Sequence, residues 1–286
     1  MIDYWCNAFT PDRADLWQAV IEQDELTIKL GAREDDIFTT AELMVARMNQ
    51  TAISTLVLPV CDLPPGAPLD EFAHYVLRPD EIRQLSAAYP GRFVGMFSIT
   101  PTRGDADLEA ADEALHAVWC VGVHSHTHSW DLTFDAPGMS PYYALAAKHG
   151  VPMVMQAGAS GGPRIHELGH PAAIEGPAEE FPMVAFVLSH LGIPWLTDTI
   201  RVARNHDNVM IGTATHPPAR WPAELLDYVR GEGAEKVLFG TGYPLTGHVH
   251  VQAQLDALDI SPATKEALRD GNARRIFTRI PQRVGG

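Results

Sequence analysis

Short apolar runs rich in β-branched residues recur along the chain at Met1–Tyr4, Ile53–Val60, Phe93–Ile99, Trp119–Val123, Pro152–Gln156, Ala185–Ser189, Val209–Gly212 and Lys236–Phe239. Segments with apolar residues at helical spacing separate them. The pattern predicts eight strands alternating with helices. Thr39-x-x-Glu42 reads as a capping box ahead of Leu43 and Met44, and Ser261-Pro262 as a capping serine with proline at the first helical position. Pro141, Pro194 and Pro222 also stand where helices should begin. Strand-helix alternation with right-handed crossovers favours a closed (β/α)8 barrel or an open doubly wound sheet. Gly31–Phe38 and Pro64–Pro68 read as surface loops, and no solenoid-length repeat is present.

Composition fits one globular domain over residues 1–286, with 46% hydrophobic and 20% charged residues. A formal charge of −15 without a Lys/Arg cluster argues against nucleic-acid or anionic-membrane partners. No uninterrupted apolar stretch of about 18 residues and no basic, apolar leader are seen, so a cytoplasmic location is expected. Cys6, Cys61 and Cys120 are too few and too widely spaced for a disulfide framework or a C-x-x-C zinc pair, and are expected to be reduced and buried. No phosphate-cradling G-x-x-x-x-G-K-[ST] occurs, so no nucleotide cofactor is expected.

Lys236-Val-Leu-Phe-Gly-Thr-Gly-Tyr-Pro244 resembles the closing strand of amidohydrolase-related chains, K-V-L-F-G-T-D-Y-P. The resemblance extends back through Glu180-Phe-Pro182, Val187-Leu-Ser-His-Leu-Gly192, Pro194-Trp195, Ala203–Val209 and Thr213-Ala-Thr-His216, and forward to Gly271-Asn-Ala-Arg-Arg-Ile-Phe277. The first half matches more loosely, at Ile2-Asp3 and Gly122-Val123. The resemblance selects the amidohydrolase-like TIM barrel over the open sheet. It also implies where chemistry belongs, at the carboxyl ends of the strands. In the resembling family an H-x-H on the first strand, histidines at the fifth and sixth, and an Asp on the eighth hold a divalent metal and its activated water.

Aligned to that pattern, Trp5 and Asn7 stand at the H-x-H positions, Ala159 at the fifth-strand His, and Gly242 at the Asp. Only His190 remains. Trp offers no lone pair to a metal, and Asn only a neutral carbonyl oxygen. One good ligand is too few for a tight zinc-type site.

Other histidines suggest a relocated site. His124, His126 and His128 alternate after the fourth strand, and on an extended segment residues two apart share a side. They could bind one divalent transition metal (zinc, manganese or iron), together with His190 or His216; the same residues can also be half-buried hydrogen-bonding groups or a solvent-facing turn. The metal-ligand expectation is therefore His124, His126, His190 and His216. His216 could line a pocket or only stabilise the turn before Pro217, and His190 could simply hydrogen-bond the barrel rim. His166-Glu-Leu-Gly-His170 spells the zinc-peptidase motif, but that motif requires a regular helix, and Gly161-Gly162-Pro163, Gly169 and Pro171 argue against one. His248 and His250 form an H-x-H after the eighth strand, expected as a solvent-exposed helix start. Trp130, Trp195 and Trp221 fit packing or interface roles. Gly158-Ala-Ser160-Gly-Gly162 matches the letters of a nucleophile elbow but not its strand-to-helix setting.

Two functions follow. The first is an assisting subunit of a hetero-oligomeric metalloenzyme, paired with a metal-complete paralogous barrel. Some enzymes of the superfamily, including the hydroxylase component of 2-aminoisobutyrate monooxygenase, are built from two amidohydrolase-like chains. The second is an independent hydrolase or decarboxylase of a small carboxylated substrate, using the relocated histidines.

Overall fold

The computed structural model describes residues 1–15, 38–60, 76–159 and 166–281. The two loops expected at Gly31–Phe38 and Pro64–Pro68, Cys61 and Ser160 lie outside these residues, Phe38 excepted. Eight parallel strands follow one another around a sheet in chain order: β1 (Ile2–Asp3), β2 (Thr55–Pro59), β3 (Phe93–Ser98), β4 (Cys120–Ser125), β5 (Met153–Gln156), β6 (Phe186–Ser189), β7 (Val209–Gly212) and β8 (Val237–Leu238). Helices cross between them: α1 (Ala41–Gln50), α2 (Pro79–Ala88), α3 (Asp105–His116), α4 (Ser140–His149), α5 (Glu175–Glu180), α6 (Leu196–Asn205) and α7 (Ala223–Arg230). Helix α8 (His248–Ala257) follows β8. This is a TIM barrel of the amidohydrolase-like kind. None of the described helices is long and apolar enough to cross a membrane.

All eight expected strands are present, most trimmed by one or two residues. β4 departs in the other direction: it runs on to Ser125, so His124 belongs to the strand itself. The strands read as apolar runs because both faces are buried. In β2, Leu56 and Leu58 point to the layer beneath the helices, whereas Val57 points into the barrel beside Ile2, Val94, Val154, Val187 and Met210. Helix starts follow local chemistry with two differences. The cap of α1 is Thr40, whose hydroxyl accepts from the Leu43 amide at 3.4 Å, not Thr39, which is buried. Pro194 does not open α6; it follows a cis peptide from Ile193, and the helix begins beyond Trp195. Ser261 caps the helix starting at Pro262 as expected, accepting from the Thr264 amide at 3.0 Å.

The first and last strands are joined by an alternating seam. The Tyr4 amide donates to Phe239 O (3.2 Å), the Gly242 amide to Trp5 O (2.9 Å), and the Asn7 amide to Tyr243 O (2.8 Å). Asp3, fully buried, locks this seam. Its carboxylate accepts from the Thr241 amide (2.9 Å) and hydroxyl (2.5 Å), the Trp5 amide (3.2 Å) and His248 Nε2–H (3.1 Å). A buried carboxylate is tolerated when its lone pairs are satisfied in this way. Tyr4 fills the interior next to it, its hydroxyl bonded to Ser189 Oγ at 2.8 Å. The ring fits only because Gly240 has no Cβ, which would meet Tyr4 Cε1 at 2.5 Å and Cδ1 at 2.8 Å.

Asp3→Ala strands at least two buried donors and the His248 ring; an unfolding free energy lower by about 3 kcal/mol is expected in urea denaturation. Gly240→Ala pushes Tyr4 out of its place and is expected to cost about 1–3 kcal/mol in the same assay, through overpacking.

Candidate functional site

The carboxyl ends of the strands carry a group of histidines packed around one indole. Trp5 leaves β1 nearly buried, at 6% exposure, with its ring edge-on to His124 (centroids 4.9 Å apart, 82°) and to His190 (5.1 Å, 82°). Its Nε1–H donates to Asn7 Oδ1 at 3.1 Å, and Asn7 Nδ2 donates to Gly242 O at 3.2 Å. Both amide atoms of Asn7 are thus engaged in holding the seam and the indole.

His124, on β4, donates from Nδ1 to Val60 O at 3.2 Å, which fixes the tautomer and leaves a lone pair on Nε2. That Nε2 is buried with no hydrogen-bond partner among the described residues, as are Ser125 Oγ, Thr127 Oγ1, Trp130 Nε1 and His190 Nδ1. Buried polar atoms of this kind require water or a ligand. His190 follows β6 in a left-handed conformation (φ 60°), adjacent to Leu191 in the same region (φ 59°). Burial pushes the His124 imidazole down to about 4. His190 falls to about 3, through burial first and then through His216, His124 and His128 nearby. His216 is lowered by burial, opposed by its Nδ1 bond to Ala214 O at 2.9 Å. These rings are therefore neutral at pH 7.

His126 faces elsewhere. The strand ends at Ser125 and a 3-10 turn covers Thr127–Trp130, so the even spacing of His124, His126 and His128 does not continue as an extended segment with one shared side. His126 Nδ1 instead lies 2.8 Å from Ser129 Oγ, and His128 Nε2 donates to Gly158 O at 2.9 Å. The His126 and His128 rings remain 5.4 Å apart. Of the four expected ligands, the fold brings His124, His190 and His216 around the barrel mouth and turns His126 toward its own loop. Among the described residues, two sets of three potential ligand atoms lie within 4.8 Å of one another, Asp3/Cys6/His248 and Asp112/His116/His149. Neither includes these histidines.

The position of Gly242 is sterically restricted. Its φ is +67°, and a Cβ there would meet Thr215 N at 2.8 Å, with Thr215 itself left-handed (φ 62°). Ala159, three residues beyond β5, is exposed and donates its amide to Ile193 O at 2.6 Å. His166–Gly169 is a 3-10 turn, so the His-Glu-x-x-His sequence lacks the helix its chemistry needs. His170 instead caps the next turn through Nδ1, accepting from the Ala172 amide at 3.2 Å.

His248 corrects the expectation of an exposed helix start: it is 7% exposed, stacks on Tyr243 (4.6 Å, 5°) and pairs with Asp3. His250 is exposed as expected. Sequence reasoning passed over Asp3 as a functional group; its signal was an acidic residue inside an otherwise apolar first strand. Cys6 beside it is fully buried, and burial followed by the Asp3 charge raises its thiol well above the usual range, so it stays protonated. A metal bridging Asp3, Cys6 and His248 would have to remove that proton and displace the bonds from Thr241. Cys6 and Cys120 are free and buried, as expected.

No curated protein matches this chain. A TIM-barrel protein of uncharacterized function from Bordetella bronchiseptica superposes with a TM-score of 0.80 at 21% identity, covering 99% of both chains. A 2,6-dihydroxybenzoate decarboxylase from Rhizobium gives 0.68 at 18% identity, over 97% of this chain and 99% of that one. A dihydroxybenzoic acid decarboxylase from Polaromonas, with bound manganese and the inhibitor 2-nitroresorcinol, gives 0.69 at 15% identity, over 99% and 98%. At these identities the superpositions establish the shared fold. The amidohydrolase family model matches residues 2–279, and the chain belongs to that family.

Proposed function

We propose that this chain is an amidohydrolase-family barrel whose family metal position is closed, and that it assists a metal-complete paralogous barrel within a hetero-oligomeric metalloenzyme, as a single domain working in the cytoplasm. The observation that carries this reading is the Trp5 indole wedged against both His124 and His190. An indole has no lone pair for a cation, and it packs edge-on against both imidazoles, at 4.9 and 5.1 Å between centroids, instead of offering them a further ligand. The remaining positions reinforce the misfit. The Asn7 amide is bonded on both sides, Ala159 carries no donor, and the backbone around Thr215 leaves no room for the acid that would stand at 242. The residues at those positions therefore do not fit the family's metal.

The mouth keeps a polar interior all the same. His124 Nε2, Ser125 Oγ, Thr127 Oγ1 and His190 Nδ1 lie buried without partners among the described residues, which suits a small polar ligand or a partner's side chain. A monooxygenase-type assembly of two barrels is one form such a pair would take.

A second reading is favoured by the two bare imidazole nitrogens of His124 and His190. If Trp5 swings aside, these and His216 could gather a divalent metal such as manganese, zinc or iron. The chain would then act alone on a small carboxylated substrate, by analogy with the similar decarboxylases, one of which carries manganese. Hydrolysis or decarboxylation would be the reaction.

Elemental analysis of tag-free protein from its native source, with identification of co-purifying chains, separates the two. The assisting role predicts no stoichiometric metal that depends on His124 or His190, together with a co-purifying barrel that carries the H-x-H motif. A metal equivalent removed by His124→Ala or His190→Ala, in a homo-oligomer active by itself, would overturn it. The neutral histidines also set a pH dependence. Their folded pKa values, about 4 and about 3, lie below the ordinary value of 6.5, so the unfolded chain binds protons that the folded chain refuses. Stability is full above pH 6.5 and falls as pH drops toward 4, by roughly 3 kcal/mol for His124. His124→Gln should flatten that slope in urea titrations run between pH 4 and 7.

A further inference from the structure

Helices of this barrel run opposite to its strands, so their carboxyl ends lie at the end of the barrel away from the mouth. There α3 ends at His116 and α4 at His149. Asp112 stands one turn before His116 on the same face of α3, the i,i+4 relation that brings side chains together. One ligand atom from each of Asp112, His116 and His149 lies within 4.8 Å of the other two. The imidazole rings are perpendicular, with centroids 4.9 Å apart.

The hydrogen bonds around the cluster determine which nitrogens carry lone pairs. His116 Nδ1–H donates to the Asp112 carbonyl oxygen at 2.7 Å, which leaves Nε2 as the lone-pair nitrogen and orients it. A metal-binding histidine is commonly held by such a bond through its other nitrogen. On His149, Arg279 Nη2 donates to Nδ1 (3.3 Å) and to the His149 carbonyl (2.9 Å). Nε2–H consequently donates to Asp112 Oδ1 at 2.5 Å. Asp112 also receives Lys148 Nζ at 2.9 and 3.0 Å. The His149 bond, followed by Lys148, holds the Asp112 carboxyl down at about 2, so it is ionised throughout the neutral range.

We propose that Asp112, His116 and His149 form a binding site for one transition-metal dication of the zinc class, clamping the carboxyl ends of α3 and α4 together. Two imidazoles and one carboxylate are a donor set that a borderline dication takes with water as a fourth ligand, and one that magnesium and calcium, which want oxygen, do not. A second feature points the same way. Two helices of 12 and 10 residues end here, and the negative ends of their dipoles favour a cation. Arg279 and Lys148 supply positive charge to this locus in the metal-free protein, with Arg279 also donating to the Leu115 carbonyl. Binding shifts the His149 proton from Nε2 to Nδ1, so the ring stays neutral and no proton is lost overall. Nδ1–H then points at Arg279, which releases that nitrogen and keeps the carbonyl. Lys148, 59% exposed, swings off the carboxylate.

The test is calorimetric titration of the tag-free full chain with Zn2+ at neutral pH, backed by thermal melts. One equivalent with micromolar affinity and a metal-dependent rise in Tm are expected. His116→Ala, at an exposed position, should weaken binding at least tenfold without changing the metal-free Tm, and His149→Gln should do the same to binding. Lys148→Met, which removes the competing ammonium, should tighten it severalfold. His190→Ala should leave it unchanged, which separates this site from the barrel mouth. Wild-type affinity no better than that of His116→Ala, loss of binding in His190→Ala instead, or equal response to Mg2+ would overturn the proposal. The same His116→Ala protein removes this site's contribution from the elemental analysis of the mouth, so either proposal can fail alone.

Discussion

The buried carboxylate of Asp3 is the constraint on which the rest of the mouth depends. β1 has only two ladder residues and β8 only two, so the seam between them has little regular pairing to rely on. Asp3 compensates by collecting four donors from three places in the chain: Trp5, Thr241 and His248. In a low-dielectric interior each such bond is strengthened, and the ion would be intolerable without them. The barrel closes because one acid is fully satisfied.

That closure also dictates what the mouth contains. With the Trp5 amide held by Asp3 and its carbonyl by Gly242, the indole has one direction to take, over the strand ends toward His124 and His190. Asn7 is drawn to the same seam through Tyr243 and Gly242. Gly242, in turn, is compatible with the left-handed Thr215 only because it has no side chain. Trp5, Asn7 and Gly242 are mutually consistent as packing: each occupies or vacates space that the others define. Burial then keeps the surrounding imidazoles neutral, so the mouth holds lone pairs and hydroxyls without cationic imidazolium.

The two ends of the barrel differ in what their histidines meet. At the mouth they face an indole and each other, with His124 Nε2 and His190 Nδ1 buried and lacking hydrogen-bond partners among the described residues. At the opposite end His116 and His149 face a carboxylate, with tautomers set by a backbone carbonyl and a guanidinium. Imidazole chemistry is the same in both; the neighbours decide whether a lone pair is directed at a cation-sized space or at an aromatic edge.

The strand-helix alternation, all eight strands and the family were legible in the sequence because apolar periodicity and local motif wording are short-range properties. The resemblance also aligns Trp5, Asn7, Ala159, His190 and Gly242 with the family's ligand wording, an alignment that rests on motif spacing alone. The direction of His126 was not legible: the alternating histidines run past Ser125 into a 3-10 turn, and the two-residue period holds only while the chain stays extended. His248 read as an exposed helix start because its partner, Asp3, lies 245 positions away. The meeting of Asp112 with His149 likewise spans 37 residues and two helices. Sequence by itself determined which residues pair with their neighbours along the chain. Only the tertiary structure decided which side chains from distant segments share one buried volume, because that depends on closing the barrel.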